Sequence, residues 1–264
     1  LKSKIILIYG PTASGKSNFA IKLAKRIKGE IINADSMQIY RELKILSARP
    51  LRKDSQKIKH HLYGFISAKK NFSSGDWLKL VKKKIFEVRK RKKMPILVGG
   101  TGLYFKALTQ GLVNIPNIPI KFRNQIRSLN KNLGSKKFYT KLLKLDPLVK
   151  NRINFHDTHR AIRAYEVKLY TKKSIYEWFK MTKSDFEEND FYKIHIDYPR
   201  DRLIKRINER AIGMFKKGVT QEVKKFIKLK VSDGKPANKA IGISEISDYL
   251  NEKLQKAQVI EKIS

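Results

Sequence analysis

The chain has 264 residues, of which 41% are hydrophobic, and it contains no cysteine. Such a chain can bury one large core or two small ones, which argues against wholesale disorder, and the lack of thiols excludes disulfides and thiolate metal sites. No apolar run approaches the roughly 18 residues of a membrane span, and the N-terminal apolar stretch is too short for a signal peptide. We therefore expect a cytoplasmic protein with no membrane partner.

The charge balance is strongly basic. Lys and Arg together number 60 and Asp and Glu number 23, which gives a formal net charge of +37. Such an excess is typical of proteins that bind a polyanion, because each neutralised phosphate releases condensed counterions. The alternative is a lysine-rich proteome in which lysine fills solvated faces. Since that bias would bring more glutamate with it, the composition favours a nucleic-acid partner.

The first predicted elements are a strand, a loop and a helix. An apolar run at residues 4–9 predicts a buried strand, and apolar spacing over residues 16–28 predicts a helix. The segment between them, GPTASGKS, fits G-x-x-x-x-G-K-[ST], whose backbone N–H groups hold phosphate. In this pattern the lysine is a point charge and the last hydroxyl can bind Mg²⁺, whereas the alternative is a glycine-rich turn without a ligand. The predicted phosphate-binding residues are Gly10, Pro11, Thr12, Ala13, Ser14, Gly15, Lys16 and Ser17, with Ser17 as the metal-binding hydroxyl.

Two further strands are predicted at residues 30–33 and 94–98, with a lysine-rich helix at residues 75–93 between them. An ordinary P-loop NTPase has an Asp at the end of such a later strand, to help hold Mg²⁺. Here the strand runs into Gly99-Gly100-Thr101, with no carboxylate. The carboxylate best placed to lie beside the loop is Asp35, at the end of the second strand. Because ligands bind at the carboxyl ends of parallel strands, we expect Asp35 and Thr101 beside the phosphate loop. The competing interpretation of Asp35 is a helix N-cap, and spacing alone leaves the two nearly level.

The pattern changes beyond residue 111. Residues 112–192 show helical spacing without strands, residues 193–198 resume strand character, and residues 200–217 form an amphipathic helix. The sequence therefore predicts an α/β fold, a P-loop NTPase-like parallel sheet flanked by helices, with residues 1–111 plus 193–264 as the core and 112–192 as an all-helical insertion. The last helix carries Arg202, Arg206 and Arg210 on one stripe, which is either solvated or able to grip phosphate.

Five motifs, from GPTASGKS to KAIGISEI, follow one another in the order and spacing of one family. Together they resemble tRNA dimethylallyltransferase, also called tRNA isopentenyltransferase, over essentially the whole chain. The resemblance implies transfer of a dimethylallyl group from dimethylallyl diphosphate to the N6 amine of the adenosine just 3′ of the anticodon (position 37), with Mg²⁺ assisting as diphosphate leaves. It also implies a helical domain that binds the anticodon stem-loop of tRNA, and we expect a monomer. The motifs are GPTASGKS, NADSMQIYREL, ILVGGTGLYFKAL, RINERAIGMF and KAIGISEI.

The resemblance implies a role for individual residues. Asp35 matches the general base, Thr101 matches a threonine that binds an oxygen of the diphosphate, and Lys16 and Arg210 match the diphosphate-binding cations. Residues 239–245 match a weaker tRNA-binding stretch, and Gly242-Ile243-Ser244 departs from the usual pattern there. The implied tRNA contacts are Asp35, Ser36, Met37, Gln38, Thr101, Arg123, His159, Arg160 and Arg163.

Other interpretations remain open at this point. A P-loop kinase would use ATP and a small acceptor, and an RNA-binding module would keep the scaffold without catalysis. His60 and His61 are expected to pack or cap, since no histidine has a partner at metal-ligand spacing. Tyr40, Tyr104 and Phe105 are expected in the core more than against a base or prenyl group. Because relatives usually continue past residue 264, we expect a fragment or shortened form.

Overall fold

The structure is a computed structural model that describes residues 4–50 and 58–264. The chain divides into two compact units, Leu1–Thr109 with Phe186–Ser264, and Gln110–Asp185. The segment before the last strand belongs to the first unit, where the Phe186 ring lies 5.7 Å from that of Phe191. Residues 51–57, which belong to the basic and polar stretch at residues 49–61 of the sequence, lie outside the described residues.

The first unit is built on a parallel sheet. Its strands are β1 (Ile5–Tyr9), β2 (Gly29–Asn33), β3 (His60–His61), β4 (Met94–Gly99) and β5 (Phe191–His195). Their order across the sheet is β3-β2-β4-β1-β5, and every pairing is parallel. Strands buried on both faces read as continuous apolar runs, which is why IILIY and PILV were recognisable. The predicted α/β class is confirmed.

Helices accompany this sheet. Apolar side chains at helical spacing bury one face of each, as Trp77, Val81 and Ile85 do in the second helix. That helix begins with a capping box, in which Ser73 accepts the N–H of Asp76 and Asp76 accepts the N–H of Ser73. The helices are α1 (Lys16–Arg26), α2 (Ser74–Lys90), α3 (Gly102–Gln110), α7 (Arg200–Lys216), α8 (Val219–Lys228), α9 (Ile243–Leu250) and α10 (Lys256–Ile263).

The ends of β2 and β4 approach one another closely. A side-chain carbon added at Gly99 would stand 2.1 Å from the carbonyl oxygen of Ala34. Glycine is therefore required at this position, since any Cβ would push the two strand ends apart. The contact sets the position of Asp35, the residue after Ala34.

The second unit is helical in its described elements, α4 (Ile120–Leu145), α5 (Thr158–Thr171) and α6 (Ile175–Lys180), with a 3₁₀ turn at Pro147–Val149. Gly134, with φ 73° and ψ 161°, has a non-helical conformation that interrupts α4. Phe138, Leu142 and Ala164 are fully buried in its core. None of the helices in residues 4–50 and 58–264 is long and apolar enough to cross a bilayer.

Candidate active site

A cavity of about 740 Å³ opens at the carboxyl ends of the strands in the first unit. This is the position expected for a ligand of a doubly wound sheet. The phosphate loop, the end of β2 and α7 all contribute to its wall. The polar and charged side chains that line it are Thr12, Lys16, Ser17, Asn18, Asp35, Gln38, Ser47, Tyr63, Arg206, Arg210, Lys217 and Lys239.

The phosphate loop adopts the geometry of an anion-binding helix start. Gly15 has φ 94° and stands at the N-cap of α1 without a side-chain capping bond. The first N–H groups of α1 are therefore available to an anion, and the helix dipole favours negative charge there. Of the predicted phosphate-binding residues, those lining the cavity are Thr12, Ala13, Gly15, Lys16 and Ser17; within the described chain, Gly10, Pro11 and Ser14 do not line it.

Lys16 is the cation of this loop. Its ammonium donates a hydrogen bond to the carbonyl oxygen of Pro11. Burial lowers the pKa of Lys16, the carboxylate of Asp35 opposes that shift, and the neighbouring Arg210 adds to it. An arriving anion would remove the cost of burying this charge, so the ammonium is placed to bind phosphate oxygens.

Asp35 is held in a turn after β2. Its Oδ1 accepts the N–H of Met37 at 2.8 Å and that of Gln38 at 3.4 Å. Its own N–H donates to Oδ1 of Asn33 at 2.9 Å. The described residues that follow form turns instead of a helix, so the N-cap interpretation does not apply. Among the described residues, Oδ2 of Asp35 has no hydrogen-bond donor, which leaves this oxygen able to accept a proton.

Thr101 joins the ends of β2 and β4. Its hydroxyl oxygen accepts the N–H of Ser36 at 2.9 Å, and its hydroxyl donates to Oγ of Ser36 at 3.2 Å. Its N–H donates to the carbonyl oxygen of Ala34 at 3.3 Å. Neither Thr101 nor Ser36 is among the described residues that line the cavity, whereas Met37 and Gln38 are. The structure thus places the threonine hydroxyl against the residue next to Asp35.

Two of the three arginines on the α7 stripe, Arg206 and Arg210, line the cavity. Arg210 donates to the carbonyl oxygen of Leu46 at 3.4 Å, and burial lowers its pKa against the opposing carboxylate of Asp35. The guanidinium of Arg206 lies over the Tyr198 ring at 4.7 Å, and a Cβ built on Gly15 would lie 3.7 Å from it. Arg202 is exposed and does not line the cavity within the described chain.

Tyr63 and Lys217 complete the cavity without a signal in the sequence. Burial raises the pKa of Tyr63, and the charge of Asp35 raises it further, so its hydroxyl stays protonated. Helical spacing indicated Arg206, but neither Tyr63 nor Lys217 stands in a motif. Tyr40 and Tyr104 are buried, and Tyr104 stacks on Trp77 with ring centroids 4.1 Å apart, so both belong to the core.

His60 and His61 form the edge strand β3. Nε2 of His61 lies 2.7 Å from Oε2 of Glu30, and Nδ1 of His60 lies 2.8 Å from the carbonyl oxygen of Ile58. Both histidines are therefore tied into the packing around the sheet, as the sequence predicted.

The remaining predicted tRNA contacts lie in the second unit. His159 and Arg160 are exposed in the first turn of α5, and Arg160 pairs with Asp157 at 3.3 Å. Arg123 and Arg163 both pair with Oε2 of the buried Glu166, at 3.4 and 3.3 Å. The carboxylate of Glu166 holds two guanidinium groups that remain partly exposed, which leaves part of each able to bind phosphate.

Oxygen ligands for a magnesium ion are few on the protein side. In the described part of the chain, no group of three histidine, aspartate or glutamate side chains could hold a metal ion. Mg²⁺ is commonly bound by one or two protein oxygens together with phosphate oxygens and water. The hydroxyl of Ser17 and the carboxylate of Asp35 both line the cavity and fit that mode.

Comparison of the sequence with known proteins identifies one family. A family model described as IPP transferase matches residues 38–264. A tRNA dimethylallyltransferase from Pelagibacter ubique is 56% identical over 263 residues, covering 100% of this chain and 84% of the relative. One from Rickettsia bellii is 42% identical, covering 98% of this chain and 82% of its own length.

Solved structures extend the comparison. The crystal structure of a tRNA isopentenylpyrophosphate transferase from Bacillus halodurans matches with a TM-score of 0.66 and 31% identity, covering 99% of this chain and 82% of that one. A eukaryotic dimethylallyltransferase, described as acting on tRNA, matches with a TM-score of 0.83 and 25% identity, covering 99% and 66%. From the family match and the identity to full-length relatives, we conclude that this chain belongs to the IPP transferase family.

Proposed function

We propose that this chain transfers a dimethylallyl group from dimethylallyl diphosphate to the exocyclic N6 amine of the adenosine next to the anticodon, position 37, of tRNA. The observation that carries the proposal is one cavity in which, among the described residues, a phosphate-binding loop and the half-buried Arg210 stand beside a single carboxylate, that of Asp35. The relatives from Pelagibacter ubique and Rickettsia bellii are named tRNA dimethylallyltransferase.

The diphosphate is assigned to the loop. Lys16, Arg210 and the start of α1 line the cavity. In this assignment they face the negative charge that grows as the bond between the allylic carbon and the diphosphate oxygen breaks. Fixed cations and N–H donors aimed at that charge lower the barrier, and they cost no reorganisation during the reaction. Arg206, which covers Gly15, adds a further donor to this site.

The proton is assigned to Asp35. An exocyclic adenine amine is a weak nucleophile, so removal of its proton as the new carbon–nitrogen bond forms assists the reaction. Oδ1 of Asp35 is engaged by backbone N–H groups, and Oδ2 is the oxygen that takes the proton. The products are the prenylated adenosine, diphosphate and the proton held on Asp35.

Thr101 acts on Asp35 indirectly, through the neighbouring residue Ser36. Through Ser36 its hydroxyl fixes the turn that carries Asp35. The family resemblance assigns this threonine to an oxygen of the diphosphate, and its hydroxyl would have to leave Ser36 to reach it. We propose both contacts, one without and one with substrate.

Mg²⁺ is proposed as the cofactor, held by the Ser17 hydroxyl and the oxygens of the diphosphate. When bound, it neutralises charge on the departing diphosphate. Asp35 also lines the cavity, but we assign its carboxylate to proton transfer and not to the metal ion.

The proposed nucleic-acid partner is the anticodon stem-loop of tRNA. A stacked adenine cannot reach Asp35, so the base must be extruded into the cavity, which is feasible in a single-stranded loop. The net charge of +37 favours such a partner. We propose that the protein acts as a monomer in the cytoplasm, where tRNA is found, and that the tRNA contacts are Asp35, Ser36, Met37, Gln38, Thr101, Arg123, His159, Arg160 and Arg163.

The test is incubation with radiolabelled dimethylallyl diphosphate and an anticodon stem-loop RNA that carries adenosine at position 37. The expected result is label on that adenosine and release of diphosphate. A matched RNA with guanosine at this position is the control and should stay unlabelled. ATP turnover with a small acceptor and no label on RNA would refute the proposal in favour of a kinase, and RNA binding without transfer would favour a binding module.

A further inference from the structure

Glu222 makes an unusual set of contacts in the first turn of α8. Its carboxylate accepts the backbone N–H groups of three successive residues, Lys44 at 2.9 Å, Ile45 at 2.8 Å and Leu46 at 2.9 Å. Successive N–H groups that converge on one anion form a cradle of fixed geometry. Residues 44–46 are thereby fastened to a helix that is distant in sequence.

The fastened segment continues directly into the cavity wall. Leu46, Ser47 and Ala48 all line the cavity. Ala48 has φ 49°, a left-handed conformation unfavourable for alanine, and its N–H donates to the carbonyl oxygen of Ile45 at 3.0 Å. Such a conformation persists where the surrounding contacts determine it, and Glu222 fixes the three residues, 44–46, from which the chain runs into this turn.

The same segment supports a cation of the site. The carbonyl oxygen of Leu46 accepts a hydrogen bond from Arg210 at 3.4 Å. Leu46 therefore joins the carboxylate of Glu222, through its N–H, to the guanidinium of Arg210, through its carbonyl. Glu222 itself does not line this cavity within the described residues, so it acts through the backbone.

Arg49 gives a second reason why this carboxylate is required. Burial lowers the pKa of Arg49, and the negative charges of Glu222 and Glu42 oppose that shift. Arg49 donates to the carbonyl oxygen of Arg41 at 3.0 Å, which closes the other side of the segment. Loss of the Glu222 charge would remove one of the two negative charges that offset the burial of the Arg49 guanidinium. Residues 44–49 would then be held less firmly, both at the N–H groups of residues 44–46 and at Arg49.

We propose that Glu222 is a positioning residue for the prenyl transfer. Its carboxylate sets the backbone of residues 44–46, and this backbone in turn sets one wall of the cavity and the orientation of Arg210. The expected change in KM rests on the proposed function. The effect of Glu222 on the backbone of residues 44–46 does not depend on it.

The test compares Glu222→Gln with Glu261→Gln, a control with the same change of charge at an exposed position of α10. We expect Glu222→Gln to weaken binding of inorganic diphosphate about tenfold. We also expect it to raise KM for dimethylallyl diphosphate by a similar factor with a smaller change in kcat. Hydrogen exchange measured by mass spectrometry should become faster in residues 44–48. The KM for RNA should stay close to that of the control, and the melting temperature should fall by only a few degrees, roughly what the loss of one or two hydrogen bonds costs.

Two results would overturn the proposal. One is diphosphate binding and exchange at residues 44–48 that match the control. The other is exchange that rises over the whole first unit together with a large fall in melting temperature, because that pattern describes a general structural role. If the unaltered protein transfers no prenyl group, the proposed function fails, but diphosphate binding and hydrogen exchange still decide whether Glu222 holds this wall.

Discussion

The substitution Asp35→Asn separates the role of this residue in structure from its role in chemistry. Oδ1 accepts the N–H groups of Met37 and Gln38, and an asparagine retains an oxygen for both. The turn after β2 should therefore survive. What changes is the second oxygen, which becomes an amide nitrogen that cannot accept a proton.

The size of the effect follows from that single loss. A positioned general base contributes roughly 10² to 10⁴ in rate, which is about 3 to 5 kcal/mol in the barrier. Binding of diphosphate should hold or improve by a small factor, because the carboxylate lies near enough to influence Lys16 and Arg210 and its charge opposes an arriving anion.

The assay is single-turnover transfer to stem-loop RNA, with diphosphate affinity measured separately by calorimetry. Asp233→Asn, at an exposed turn, is the matched control and should leave both quantities unchanged. Near-normal single-turnover transfer by Asp35→Asn would remove this residue from proton transfer. A loss of diphosphate binding in proportion to the loss of rate would show that the substitution damages the site as a whole.

Three other changes probe the loop, the strand ends and the sheet. Burial lowers the pKa of Lys16, and the charge of Asp35 opposes that shift. As pH rises, Lys16 should therefore lose its proton, and the protein its affinity for inorganic diphosphate, before the pH of about 10.4 at which an ordinary lysine titrates. In Asp35→Asn this loss of affinity should occur at lower pH, and a shift to higher pH would contradict the reasoning. Gly99→Ala should lower the melting temperature and abolish transfer, since the added carbon would stand 2.1 Å from a backbone carbonyl oxygen, and an unchanged melting curve would refute the close approach. Burial acts to raise the pKa of Glu30, but its hydrogen bonds, foremost that from Arg91, outweigh burial and keep the pKa below its ordinary value. Arg91→Ala should therefore cost about 1 to 2 kcal/mol of unfolding free energy at neutral pH, and the difference should shrink as pH falls and Glu30 is protonated, as denaturant titrations at both pH values would show.

The sequence predicted the elements whose signal is local. Strands β1 and β4 contain apolar runs followed by glycine, and β2 contains the short run EIIN. Helices α1, α2 and α7 show regular apolar spacing. β3 was missed because His60 and His61 are polar and form a strand only by pairing with β2. Gly134 was not identified as the interruption of α4, since a glycine in a helical pattern is compatible with either outcome.

The site was partly predictable for the same reason. Strand ends identify which residues can meet, and the structure brings Lys16 and Asp35 into one cavity. Helical spacing placed Arg206 and Arg210 on one face, but it could not separate them from the exposed Arg202. Glu222 lies far from residues 44–46 in sequence, and its contact with them depends on how α8 packs, which no local pattern encodes.

The position of Asp35 explains how a phosphate loop can serve the proposed transfer. In a P-loop NTPase an acid after the later strand helps to hold the metal. Here that strand ends at Gly99, whose missing side chain lets the backbone of Ala34 approach. The close approach brings the following residue, Asp35, to the wall of the cavity. In the proposed reaction, this carboxylate is the group that takes the proton from the acceptor amine. The glycine that replaces the NTPase acid is thus also the residue that allows Asp35 its place beside the loop.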